Sequence, residues 1–280
     1  MYSNKNIEEY YDTTQVHYEI WWKLKETQAI HYGIWDDSVN SFSESLLNTN
    51  RLMMETAQIK DGEKVLDAGC GIGGSAFYLS QQREVKVVGI SLSKKQILTA
   101  RNLAEKNDVA NKLSFDVMDY TQTTFPDESF DVVWACESIC HAPDKQAFIN
   151  ESYRILKKGG RLILCDYFLT DENQADPKNR IKKWLETWSI SHIPTSEKFN
   201  NALVGTGFKE TNCFDYSKGI QNSAKRMYYS SLLAFFPSEI YNFFHRNVSR
   251  FAKTHYKSGY YQYKALRENL WKYMMIVAKK

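Results

Sequence analysis

The sequence predicts an α/β protein with a doubly wound, mostly parallel sheet, on three observations. From Glu63 onward, apolar runs rich in β-branched residues alternate with helical stretches; the first run ends in a glycine cluster; and 43% of the 280 residues are hydrophobic, ample for a buried core. The N-terminal MYSNKNIEEYYD has no apolar signal segment, and no stretch approaches the ~18 consecutive apolar residues of a membrane span, so a soluble, cytoplasmic protein is expected.

Residues 1–60 are rich in aromatics and are expected to form a helical cap over the strands' carboxyl edge. VLDAG (65–69) reads as a buried strand, and GSAFYLSQQ as a helix started by the glycines before it. VKVVGIS (85–91) is a second strand suited to a sheet covered on both faces. Ser93 is placed to cap a helix through SKKQILTARNLAEKN, with Ile97, Ala100 and Ala104 on one face. LSFDVMD and FDVVWAC are the third and fourth strands. Pro143 and Asp144 open a helix that KKGG (157–160) is expected to close, because glycine takes the left-handed conformation that ends helices. RLILCDYF is the fifth strand, GFKETNCFDYS (207–217) the sixth and the terminal WKYMMIVAK the seventh. The organisation expected is a cap over 1–60, a core over 61–217, a helical lid over 218–270 and a last core strand over 271–280. Ligands of doubly wound sheets bind beyond the strands' carboxyl ends, where cap and lid could both cover them.

EKVLDAGCGIGGS (63–75) fits two ligand patterns. Gly69, Gly71 and Gly74 make G-x-G-x-x-G, which in a dinucleotide site comes with an acid about 20 residues on for the ribose hydroxyls. Asp67, Gly69, Gly71 and Gly73 make D-x-G-x-G-x-G. The second strand ends GISLS, without an acid, which argues against a nicotinamide nucleotide. S-adenosylmethionine, with an ammonium, a carboxylate and a sulfonium in place of phosphates, suits an acid beside bare backbone.

Five ordered blocks, VLDAGCGIGG, VVGISLSKKQ, FDVMDYTQTTFPDESFD, ESICHAPDK and RILKKGGRLIL, resemble the class I S-adenosylmethionine-dependent methyltransferases, most specifically over 63–165. VVGISLSKKQ is similar to the G-x-T-L-S block of tocopherol methyltransferases and cyclopropane fatty acid synthases. ESICHAP is similar to the E-A-T-C-H-A-P of sterol C-methyltransferases, and HYGIWDD (31–37) to the H-H-G-F-Y-D of the tocopherol type. The resemblance implies a Rossmann-like, seven-stranded fold and a cofactor site. In it Gly69, Gly71 and Gly73 bring backbone to the ligand, Asp67 holds the loop, and Ser91 and Leu92 lie beside Gln96. Gln96 would reach the ribose hydroxyls, unless it is only an exposed helix glutamine. Asp119 would accept from the adenine amino group beside Tyr120, unless it is a cap or loop acid. Tyr11, next to Asp12, resembles a tyrosine that closes over the cofactor; the alternative, an aromatic helix face, is the reading given to Trp21 and Trp22.

Methyl transfer is an in-line displacement on an activated sulfonium, so alignment and exclusion of water are the main tasks. A nucleophile with a proton to lose needs a base, and His141, just past the fourth strand, is the candidate. Glu137, at the strand end, could orient a hydroxyl or stabilise developing positive charge. Alternatively both are loop groups that bind backbone amides. Cys140 stands where cyclopropane synthases carry an acid, which argues against cyclopropanation. No metal-ligand cluster is visible, and five cysteines without a C-x-x-C pair point to reduced, mostly buried thiols.

Charge is uneven. Residues 216–280 hold twelve Lys/Arg, two acids and fifteen aromatics. Within PSEIYNFFHRNVSRFAKTHYK (237–257), Ile240, Phe244, Val248 and Phe251 are expected on one helical face and Arg246, Arg250, Lys253 and Lys257 on another. That face is either simply solvated or rests on an anionic membrane, with RNA contact weakened by the lack of a recognisable RNA-binding module. The expected activity is methylation of a small, largely apolar acceptor: a prenylated phenol, quinone precursor, sterol-like or alkaloid-like ring compound. The rivals are an RNA methyltransferase and a non-catalytic cofactor-binding protein.

Overall fold

The computed structural model describes residues 2–21 and 24–280, so Trp22 lies outside the described residues. Seven strands form one sheet: β1 (Lys64–Ala68), β2 (Lys86–Ser91), β3 (Leu113–Val117), β4 (Phe130–Cys136), β5 (Leu156–Leu169), β6 (Lys209–Asp215) and β7 (Trp271–Lys279). Their order is β3-β2-β1-β4-β5-β7-β6, with β7 antiparallel to both neighbours and the other pairs parallel. The order reverses between β1 and β4, which opens a crevice beyond their carboxyl ends.

Helices α1 (Asn4–Trp21), α2 (Leu24–Thr27) and α3 (Phe42–Thr56) precede the sheet, and α4 (Gly74–Gln82), α5 (Lys94–Lys106) and α6 (Lys145–Ile155) are its crossovers. Between β5 and β6 come α7 (Arg180–Thr187) and α8 (Ser196–Thr206); between β6 and β7 come α9 (Gln221–Phe244), α10 (Arg250–Thr254) and α11 (Ser258–Arg267). Strand alternation divides the core. Val65, Val87, Val132 and Ile163 face one layer, while Leu66, Ile90, Val133 and Leu164 face the other. Side-chain caps start the helices where polar residues precede apolar periodicity: Ser93 accepts from the Gln96 N–H and Asp144 from the Ala147 N–H. No described helix is long and apolar enough to cross a membrane.

Three expectations change. KKGG does not close a helix: α6 ends at Ile155, and the chain passes straight into β5 at Leu156. Phe130 pairs with Leu156 but Val132 with Arg161, so residues 157–160 bulge out of the strand. Gly159 takes φ +75° there and its N–H donates to the Lys280 carbonyl. Second, 237–257 is not one amphipathic helix. Pro237 lies inside α9, which ends at Phe244, and α10 begins only at Arg250; Ile240 and Phe244 are exposed whereas Phe251 is buried. Third, α3 packs beside α4 and β5 rather than over the carboxyl edge, and α1 and the loop after α2 reach that edge instead.

Candidate active site

The crevice at the reversal of strand order forms a cavity, walled by the turns after β1, β2 and β4, by α1 and by residues 28–31. Its floor follows from the glycines. Gly69 has φ +89°, and a Cβ there would lie 2.4 Å from the Ser138 Cβ, so only glycine lets β1 turn against the loop after β4. The Ser138 hydroxyl donates to the Ala68 carbonyl at 2.6 Å, and the Tyr120 hydroxyl donates to the Ser138 carbonyl at 2.7 Å, which locks the two loops together. Gly69 and Gly71 line the cavity. Gly73 does not: it caps α4 with φ +94° against the Phe115 and Phe77 rings, a turn position.

Asp67, the last residue but one of β1, is buried, and its Oδ2 has no hydrogen-bond partner. Burial pushes its carboxyl up to about 7. Ser91, Leu92 and Gln96 line the same cavity. Gln96 is buried, not an exposed helix residue: its Oε1 accepts from the Ser91 hydroxyl at 2.8 Å. Tyr120 and Tyr11 line it too, the Tyr11 ring 5.2 Å from that of His141. Asp119 stands outside. Its Oδ2 accepts from the Asn4 amide of α1 at 2.6 Å, and its Oδ1 accepts from the Thr121 N–H and hydroxyl.

Glu137 and His141 also line the cavity. Glu137 has φ +50°, and its Oε1 accepts from the Tyr32 N–H at 2.5 Å and the Tyr273 hydroxyl at 2.7 Å, while Oε2 accepts from the Tyr167 hydroxyl. Tyr167 and Tyr273 are register partners across β5 and β7, so their hydroxyls converge on one point. Burial pushes the Glu137 carboxyl up to about 8 despite the opposing pull of these donors. His141 sits in a 3-10 turn (Ile139–His141) with its buried Nδ1 unpartnered. Burial and the Lys145 cation lower its basicity to about 3, so the ring is neutral at physiological pH.

The turn that carries His141 is clamped by residues the sequence reading did not single out. Buried Lys145 donates to the Cys140, Ala142 and His192 carbonyls at 2.9, 2.6 and 3.1 Å. Asp166 accepts from the Cys140 N–H at 2.9 Å. An acid inside the apolar run RLILCDYF is a readable signal for Asp166. Nothing local marks Lys145 as buried. Among the described residues no group of three His, Cys, Asp or Glu is placed to hold a metal ion.

A methyltransferase domain model matches residues 66–164. The 27-O-demethylrifamycin SV methyltransferase of Amycolatopsis mediterranei is 38% identical over 142 residues, 51% of this chain and 52% of that protein. An O-methyltransferase of Pyrenophora dematioidea is 32% identical over 195 residues, 69% of this chain and 72% of that protein. The chloroplastic tocopherol O-methyltransferase of Arabidopsis thaliana is 31% identical over 234 residues, 77% of this chain and 66% of that protein. The chain thus spans about half the length of the first of these and about two thirds or more of the others. A cyclopropane synthase from Mycobacterium tuberculosis, 17% identical, superposes with a TM-score of 0.84 over 99% of this chain and 98% of that one, a likeness of fold. On the domain match and the relative that it covers to 72%, the chain belongs to the class I S-adenosylmethionine-dependent methyltransferases.

Proposed function

We propose that the protein methylates a small, largely apolar acceptor, such as a prenylated phenol, a quinone precursor or a sterol-like ring compound. One observation carries this reading: two buried polar atoms without hydrogen-bond partners, Asp67 Oδ2 and His141 Nδ1, belong to residues that line one cavity. Buried polar atoms left unpaired in a protein are costly, which is the expected state of groups that pair with ligands. S-adenosylmethionine supplies an electrophilic methyl group on a sulfonium. The Asp67 carboxyl and the backbone of Gly69 and Gly71 would hold its amino-acid end, and Gln96 its ribose.

At the acceptor end, neutral His141 has an unpartnered Nδ1 that would bond an acceptor hydroxyl and orient its oxygen. Its lowered basicity favours orientation over storage of the proton. Glu137, with both oxygens engaged, shapes the pocket by holding Tyr32, Tyr167 and Tyr273. Tyr10, Tyr11 and Trp188 supply apolar walls, consistent with the ring-compound names of the rifamycin and tocopherol relatives. Residues 1–60 and 218–270 act as covers in this proposal, and the setting is cytoplasmic.

Calorimetric titration with S-adenosylmethionine, S-adenosylhomocysteine and NAD, followed by mass spectrometry of an acceptor panel, tests it. The expected result is binding of the first two and a methylated product. Tighter NAD binding would defeat the cofactor assignment, and cofactor binding without product on any ring acceptor would leave a non-catalytic binder.

A further inference from the structure

Helix α9 is patterned inside out. Leu232, Leu233, Phe236, Ile240, Phe243 and Phe244 recur at the spacing of one helical face, yet every one is exposed, with Leu233 at 71% and Phe236 and Phe244 at 74%. The opposite face carries the buried residues Ser223, Ala224, Met227 and Ser231. It packs so closely on α11 that a Cβ on Gly259 would fall 2.5 Å from the Met227 carbonyl oxygen and the Ser231 Oγ. The bulky apolar side chains are therefore the ones left without cover, a patch that marks an interaction surface.

The charges around the stripe choose its partner. Lys225 and Arg226 stand on the stripe's own face, seven residues before Leu232 and Leu233, and Arg246 follows its far end. Across 221–257 six bases face one acid, Glu239, which already pairs with Lys257 at 3.1 Å. Two copies joined across the stripe would set these basic rims against each other, whereas an anionic surface complements them.

We propose that α9 docks on an anionic bilayer, with Phe236, Phe243 and Phe244 entering the acyl boundary and Lys225 and Arg246 at the headgroups. The apolar stripe, not a basic helical face over 237–257, makes the contact. Next along the chain, the Phe251 ring of α10 lies 5.8 Å from that of Tyr10, which in turn lies 5.8 Å from that of His141. A membrane-dissolved acceptor thus meets aromatic side chains between the stripe and the cavity; this last step rests on the methyltransferase reading, and the docking does not.

Co-sedimentation of the full chain with vesicles of equal phosphatidylglycerol and phosphatidylcholine, beside pure phosphatidylcholine, tests the docking. Binding to the anionic vesicles is expected, and Phe236→Ser with Phe244→Ser should weaken it at least about tenfold per residue. Because both side chains are exposed, S-adenosylmethionine affinity should not change, so a failure of cofactor binding in the parent chain would speak only against the enzymatic reading. No sedimentation of the parent chain at low salt, or equal sedimentation of the double variant, would overturn the proposal. So would a lipid-free dimer that the two serines dissolve, which would assign the stripe to a second copy.

Discussion

Asp67 and Glu137 are buried carboxyls near the carboxyl ends of β1 and β4, and burial raises both. For Glu137 the folded value of about 8 lies above the ordinary 4.5, so the native state binds the extra proton. Its contribution to stability is full below about 4.5 and is lost as pH rises through about 8. His31 and His141 run the other way, with folded values of about 4 and 3, and their effect is complete above about 6.5. Between pH 6.5 and 8 the melting temperature should therefore fall, and Glu137→Gln should flatten the fall; identical slopes would mean that Glu137 ionises freely when folded. Gly69 makes a second prediction. Alanine there meets Ser138 at 2.4 Å and a strained φ of +89°, so Gly69→Ala should lose about 1–3 kcal/mol or more in urea unfolding, and an unchanged midpoint would show that the β1 turn can shift.

Helix α1 is held by the buried side chains of Ile7 and Tyr10 and by three hydrogen bonds, Asn4 to Asp119 at 2.6 Å, Ser93 to Asp12 at 2.6 Å and Ser249 to Glu9 at 2.8 Å. Each such bond contributes only about 0.5–1.5 kcal/mol net, so the Asn4 bond can be lost while the buried side chains keep the helix in place. The Asn4 bond occupies the oxygen of Asp119 that an adenine amino group would use. If the two compete, Asn4→Ala should tighten S-adenosylmethionine binding up to about tenfold, while Asp119→Ala should weaken it by about 1–3 kcal/mol. Titrations in which neither substitution changes affinity would place Asp119 outside the site. Strands and crossover helices were legible because period and caps are local: Ser93 and Asp144 announce their helices within three residues. The bulge at 157–160 was not, because glycine serves helix ends and bulges alike. Nor was the burial around Glu137, whose donors lie at positions 32, 167 and 273 and meet only when β5 pairs with β7.

Across the whole molecule, α1 lines the cavity, and the insertion between β6 and β7, the second proposed cover, packs on α1. The two covers touch. The Phe251 ring lies 5.8 Å from Tyr10 and 6.2 Å from Tyr2, and the Arg250 guanidinium lies 5.0 Å from the Tyr2 ring and 4.9 Å from that of Phe251. Tyr10 itself faces His141, so a shift of either cover alters what borders that ring. Covers bound to each other more extensively than to the strands should open and close together, and closure would exclude water from the sulfonium. Hydrogen exchange tests this: residues 2–14 and 245–257 should exchange faster than β1 and β4 and should slow in parallel when S-adenosylmethionine binds. Phe251→Ala removes the ring that joins them, so the two segments should lose their parallel response and turnover should fall about tenfold or more with cofactor affinity nearly intact. Segments as protected as β1 and β4 without cofactor, or a Phe251→Ala variant in which both still slow together, would show that the covers are rigid or are joined elsewhere.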